Sequence, residues 1–100
     1  MKTKTMKLKV TQRDIDLANK YKADRQADKP GAKQVSHSCP IACAIRRVTH
    51  HATSVGTCTA TIYVNGGGRS FNVDETGRKF IHAFDTDANP GPVTVELTAY

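Results

Sequence analysis

The stretch "SHSCPIACAIRR", Ser36 to Arg47, decides how this chain is read. Its two cysteines, Cys39 and Cys43, stand four apart, with Pro40 directly after the first. If the thiols are ligands, the chain is a small metal-stapled domain. If they are packing groups, the stretch is the central helix of an ordinary hydrophobic core. The spacing favours the helix. Pro40 suits a first helical turn, where its missing N–H costs nothing, and Ser36 or Ser38 stands ready as the cap. Ile41, Ala44, Ile45 and Val48 recur at intervals of three and four, which predicts a core-facing stripe. Arg46 and Arg47 fall in the last turns, where cations suit the helix dipole. The helix start near Ser38 presents free N–H groups and is a candidate anion site.

Outward from that helix, the flanks alternate between strand and helix patterns. On the N-terminal side, "MKLKV" (6–10) places Met6, Leu8 and Val10 opposite Lys7 and Lys9, a half-buried strand by period two. Residues 1–5 are expected to fray. Thr11, with Asp14 three residues on, predicts a capped helix whose thin apolar stripe is Ile15, Ala18 and Tyr21. "DKPGAKQ" (28–34) reads as a loop.

On the C-terminal side, "THHATSVG" (49–56) breaks the central helix. "TCTATIYV" (57–64) is the clearest strand, with Cys58, Ala60, Ile62 and Val64 on the inward side. "NGGG" (65–68) turns it back into "RSFNV" (69–73). Asp74 caps "ETGRKFIHAFD" (75–85), whose buried side is Phe80, Ile81 and Phe84. Gly77 sits poorly in a helix and predicts a loose first turn there. After the loop "TDANPGP" (86–92), "VTVELT" (93–98) alternates as a closing strand. The fold class expected is α+β. A small, mostly antiparallel sheet carries two to three helices on one face, in the order β-α-α-β-β-α-β, as a single domain over 1–100.

Composition sets the function classes. The chain has 100 residues, 38% of them hydrophobic, with no tryptophan. Its core must be small, and a homodimer, which would bury more surface, stays open. The net charge of +6 lies entirely in residues 1–34, which hold ten basic and four acidic side chains; residues 35–100 hold five of each. A basic first third points to an anionic partner, with nonspecific nucleic-acid contact among the options. No apolar run reaches the length of a bilayer span, and the N-terminus lacks the apolar segment of a signal peptide. Three cysteines without such a signal read as reduced thiols in a cytoplasm.

The chemical motifs are weak. His37, Cys39, Cys43, His50, His51 and Cys58 are donors enough for zinc, but structural zinc draws paired ligands from two clusters, and no second pair exists. Core packing is the expected role of Cys43 and Cys58, and no metal or cofactor is expected. Cys39 at a helix start would have its pKa lowered by the dipole. Nothing in the spacing brings His37, His50, His51 or His82 to it, so no catalytic residue is assigned and an enzyme is not expected. "NGGGR" lacks the phosphate-loop pattern and reads as a hairpin. No base-reading helix or aromatic stacking platform appears.

The layout resembles a family of small proteins encoded by tailed bacteriophages. The likeness rests on the opening "KVTQRDID", on "SCPIACAIRR" where that family shows CP-[IV]-A-x-A-[IL], on "FIHAFD", and on the final strand "PVTVEL". It covers most of the chain. The family often has an aliphatic residue at the position of Cys43, which agrees with a core thiol. It also has a shorter, Gly-containing link where this chain inserts a charged stretch, about Lys20 to Lys33. The resemblance carries no catalytic residue.

It implies a phage-encoded binding protein of host takeover or counter-defence, working in the host cytoplasm, and the basic first third favours an anionic target for it. That target is a nucleic acid, a signalling nucleotide or an acidic face of a host protein. The alternatives are a structural or accessory protein of the virion or of phage DNA metabolism, and a small cysteine-dependent enzyme. The candidate contact residues are Lys20, Lys22, Arg25, Lys29 and Lys33 of the insertion, with Ser38, Arg46, Arg47 and Arg69.

Overall fold

Thr11 is the hinge between the first strand and the first helix. Its backbone is extended, and its hydroxyl accepts from the Asp14 N–H while the Asp14 carboxylate accepts from the Thr11 N–H at 2.9 Å. This reciprocal capping box ends β1 (Thr5–Val10) and starts α1 (Gln12–Gln26). The computed structural model describes residues 5–30, 39–64, 66–86, 88 and 90–99. Within these, α2 (Pro40–Thr49), β2 (Thr53–Val55), β3 (Thr59–Val64), β4 (Gly67–Val73), α3 (Glu75–Asp85) and β5 (Val93–Ala99) follow. The expected fraying of residues 1–5 falls mainly outside the described residues, and Thr5 itself already belongs to β1.

The strands form one antiparallel sheet in the order β1-β5-β4-β3-β2. The last strand thus lies between the first and the fourth. Registers put apolar residues in rows across the sheet: Leu8 opposite Val95, Val73 opposite Leu97, and Val55 opposite Ala60. These residues are buried, while Lys7, Lys9, Thr94, Glu96, Asn72 and Tyr63 on the other face are exposed. Helices packed on one face and solvent on the other follow from this alternation. The expected α+β architecture is the one observed.

Strand β2 lies outside the expected order. It has three residues, too few for an alternation to be read, and its polar Thr53 is buried with its hydroxyl donating to the His51 carbonyl at 3.1 Å. The helix break before it is as expected. His50 adopts the left-handed conformation with φ of 60° and donates to the Arg46 carbonyl.

Helix α2 is the centre of the core. Pro40 to Ile45 are buried, with Ile41 and Ile45 fully so. Two expectations need correction here. Val48 is 52% exposed, although it keeps the spacing of the stripe. The cap is Cys39 itself, whose Sγ accepts the Ala42 N–H at 3.4 Å; the expected Ser36 and Ser38 lie outside the described residues.

Helix α3 shows a third correction. Gly77 lies inside a regular first turn, with its N–H donating to the Asp74 carboxylate at 2.8 Å. A Cβ at this position would collide with Val73 Cγ1 and stand 3.3 Å from Val95 Cγ1. Glycine is needed for close approach of helix to sheet, at the expense of helix propensity.

Candidate functional site

Helices α1 and α2 run antiparallel: Asp14, early in α1, meets Arg47, late in α2, and Ala18 and Tyr21 cluster with Cys43. At the Asp14–Arg47 end, the two helices bound a groove of about 370 Å³ lined by Arg13, Asp14, Leu17, Tyr21, Cys43, Arg46 and Arg47. Arg13, Leu17 and Tyr21 recur every four residues and so share a side of α1. Cys43, Arg46 and Arg47 answer them from α2.

Arg47 is the best-held cation of the groove. Its Nε donates to Asp14 Oδ1 at 3.1 Å, and its Nη2 donates to Asp14 Oδ2 at 3.1 Å and to the Lys9 carbonyl at 2.9 Å. It therefore ties α2 to both α1 and the end of β1. Asp14 is 3% exposed. Burial alone would raise its carboxyl, but the bonds from Arg47 and Thr11 outweigh that, so it titrates below the ordinary aspartate value of 3.8. Asp14 in turn pushes the Arg47 guanidinium up.

A group whose folded pKa is depressed adds stability above its unfolded value and loses it as pH falls through the folded value. Asp14→Asn is therefore expected to be less stable than the parent near neutral pH. The gap should close as pH drops from about 4 through the folded pKa. Urea midpoints of the two proteins measured across that range check this; a gap that stays constant down to about pH 2 contradicts it.

Apart from Arg46 and Arg47, the described candidate residues are dispersed. Lys20 is exposed on α1. Lys22 is bound to α3: its Nζ donates to the Phe84 carbonyl at 3.1 Å and lies 4.8 Å from the centroid of the Phe84 ring. Arg25 is half-buried one turn beyond Tyr21. Lys29 is exposed and pairs with Asp24 at 3.5 Å. Lys33 and Ser38 lie outside the described residues. Arg46 is half-buried, with Nη2 3.6 Å from Cys43 Sγ. Arg69 is exposed on β4 and lines a separate cavity of about 730 Å³ with Met6, Phe71 and Ala99.

Of the expected set, then, the groove gathers Arg46 and Arg47. It adds Arg13 and Leu17, which the sequence reading passed over. The signal was present as Arg13, Leu17 and Tyr21 at fours, beside the stripe that was recognised.

The thiols part company with expectation in two places. Cys58 is exposed, because the strand begins at Thr59 and the residue falls on the bend before it. Cys39 is 5% exposed, and burial pushes its thiol up to about 11, so the helix start does not activate it. Cys43 is buried against Ala18 and Phe84, as a packing thiol should be. Among the described residues, no three His, Cys, Asp or Glu side chains gather as a metal site would require. No helix among them is long and apolar enough to cross a membrane. No family model, no curated protein and no solved structure matches the chain.

Proposed function

We propose that the chain is a non-catalytic binding protein that holds an anionic partner in the groove between α1 and α2. The partner class that fits its likeness to small tailed-phage proteins is a host factor or its ligand, engaged in host takeover or counter-defence in the host cytoplasm. The observation that carries this reading is the grouping of Arg13, Arg46 and Arg47 around one hollow. Guanidinium groups present fixed forks of donors suited to carboxylate and phosphate. The excess of positive charge in residues 1–34 would draw such a partner toward α1.

The test is retention from host lysate at low salt, followed by elution with rising salt, for the parent and two double variants. The Arg13→Gln/Arg46→Gln protein is expected to lose the retained component, and Lys20→Gln/Lys29→Gln to keep it. Thermal melts confirm that each variant is folded. If no anionic component is retained, or if the arginine pair changes nothing, the groove is not the contact.

A further inference from the structure

Resting on the reading of the groove as an anion site, we infer that its occupant is an acidic amphipathic helix of a partner protein, seated with an apolar side chain against Leu17 and Tyr21 and carboxylates on Arg13 and Arg46. Three observations carry this.

The first is the floor. Leu17 is 40% exposed on a helix whose neighbouring Ile15 and Ala18 are buried. A lone exposed leucine is ordinary. This one lies one turn from Arg13 and one turn from Tyr21, in the groove that Cys43 and Arg46 close from the other side. An apolar strip rimmed by arginines matches an apolar ridge rimmed by carboxylates.

The second is the shape. Two antiparallel helices leave a trough between them. A third helix fills such a trough by the packing that joins helices generally, with anchors at intervals of three and four. From Arg13 to Tyr21 the trough runs about two turns, roughly 12 Å. Two or three turns of partner cover it.

The third is the charge arrangement, which is poor for a phosphate backbone. The Asp14 carboxylate forms part of the wall. Arg47 spends donors on Asp14 and on Lys9, Lys22 is bound to Phe84, and Lys29 is paired with Asp24. Single-stranded nucleic acid also needs faces on which bases stack, and Tyr21, half-buried, is the aromatic of this groove. A helix that offers carboxylates at two points and an apolar contact between them needs no longer track of cations.

The experiment selects random peptides of about 16 residues, long enough for a helix of several turns, on the intact protein. The best binder is then synthesised, and its affinity is measured by fluorescence anisotropy with the parent, Leu17→Ala, Arg13→Gln/Arg46→Gln and Lys20→Gln/Lys29→Gln. A single-stranded deoxythymidine oligomer and ADP serve as competing probes. Enriched peptides are expected to combine Asp or Glu with Leu, Ile, Phe or Met at helical spacing. Leu17→Ala should weaken the best of them about tenfold, as an anchor contact does. The arginine pair should weaken it at least as much and flatten its salt dependence, while the lysine pair leaves it unchanged.

Absence of enrichment, or a consensus without acidic residues, overturns the inference. So does binding of the peptide, oligomer or ADP that depends on Arg13 and Arg46 but not on Leu17; the groove then remains an anion site with a different occupant. If the arginine pair affects no probe, both readings fall.

Discussion

Replacing Ile41 with aspartate leaves the chain unfolded at room temperature. Ile41 is fully buried in the first half of α2, among the residues that join the helix to the sheet. The substitution loses the burial of an isoleucine side chain, about 1.5–3 kcal/mol, and leaves part of its volume empty. It also puts a carboxylate into a fully enclosed apolar site, and a charge buried there costs several kcal/mol or forces the group to take up a proton. Together these approach the roughly 5–15 kcal/mol by which a domain of this size is stable. Ile45→Asp is expected to behave alike, for Ile45 is equally enclosed. Val48→Asp supplies the contrast on the same helix: its side chain is half in solvent, so its thermal melt should stay within a few degrees of the parent. Circular dichroism melts of the three variants decide the matter, and a parental melt for Ile41→Asp would remove α2 from the core.

Gly77→Ala should destabilise the protein, against the usual rule. In an open helix the change gains about 1 kcal/mol of propensity. Here the added methyl would have to displace Val73, which is itself buried and stiff at its branched carbon, and press on Val95. Overpacking of this kind costs about 1–3 kcal/mol, so the net effect is a loss unless α3 lifts from the sheet. A lowered denaturant midpoint with an unchanged slope is the expected result. A rise in midpoint would show that the contact gives way at little cost.

The two substitutions mark where sequence and structure agree and where they part. Ile41 and Ile45 were readable because helical period and apolarity coincide in α2. Alternation made β1, β3 and β5 readable for the same reason, since each has one face in the core. Gly77 was misread because propensity concerns the helix alone, whereas its space is set by Val73 and Val95 on the two strands that flank α3 in the chain. Val48 kept the period of the stripe but is half exposed, and period alone does not say how far along a helix its apolar face is covered. Cys58 failed in the same way at a strand start.

The groove was half legible. Arg46 and Arg47 stood out as charges, and the composition of the first third pointed to an anion. What escaped was that Arg47 is held by Asp14, and that Arg13 and Leu17 face it. Those facts depend on the antiparallel pairing of α1 with α2, across an interval of more than thirty residues in sequence. The cation-rich insertion misled for a related reason: in Lys22 and Lys29 charge is used within the chain.

The position of β5 bears on how the protein is made. Among the described residues, β1 lies at the edge of the sheet, hydrogen-bonded to β5. During synthesis the first strand therefore leaves the ribosome with no strand to pair with until residues 93–99 have followed it. The hairpins of β2, β3 and β4 can form from local contacts, but Leu8 and Val10 stay uncovered by a neighbouring strand through that interval. Closing the sheet waits on contacts of the longest sequence separation in the domain, which are the slow ones to form. A nascent chain stalled before β5 would display an unpaired apolar strand, and Lys7 and Lys9, alternating along it, are charges of the kind that oppose edge-to-edge pairing.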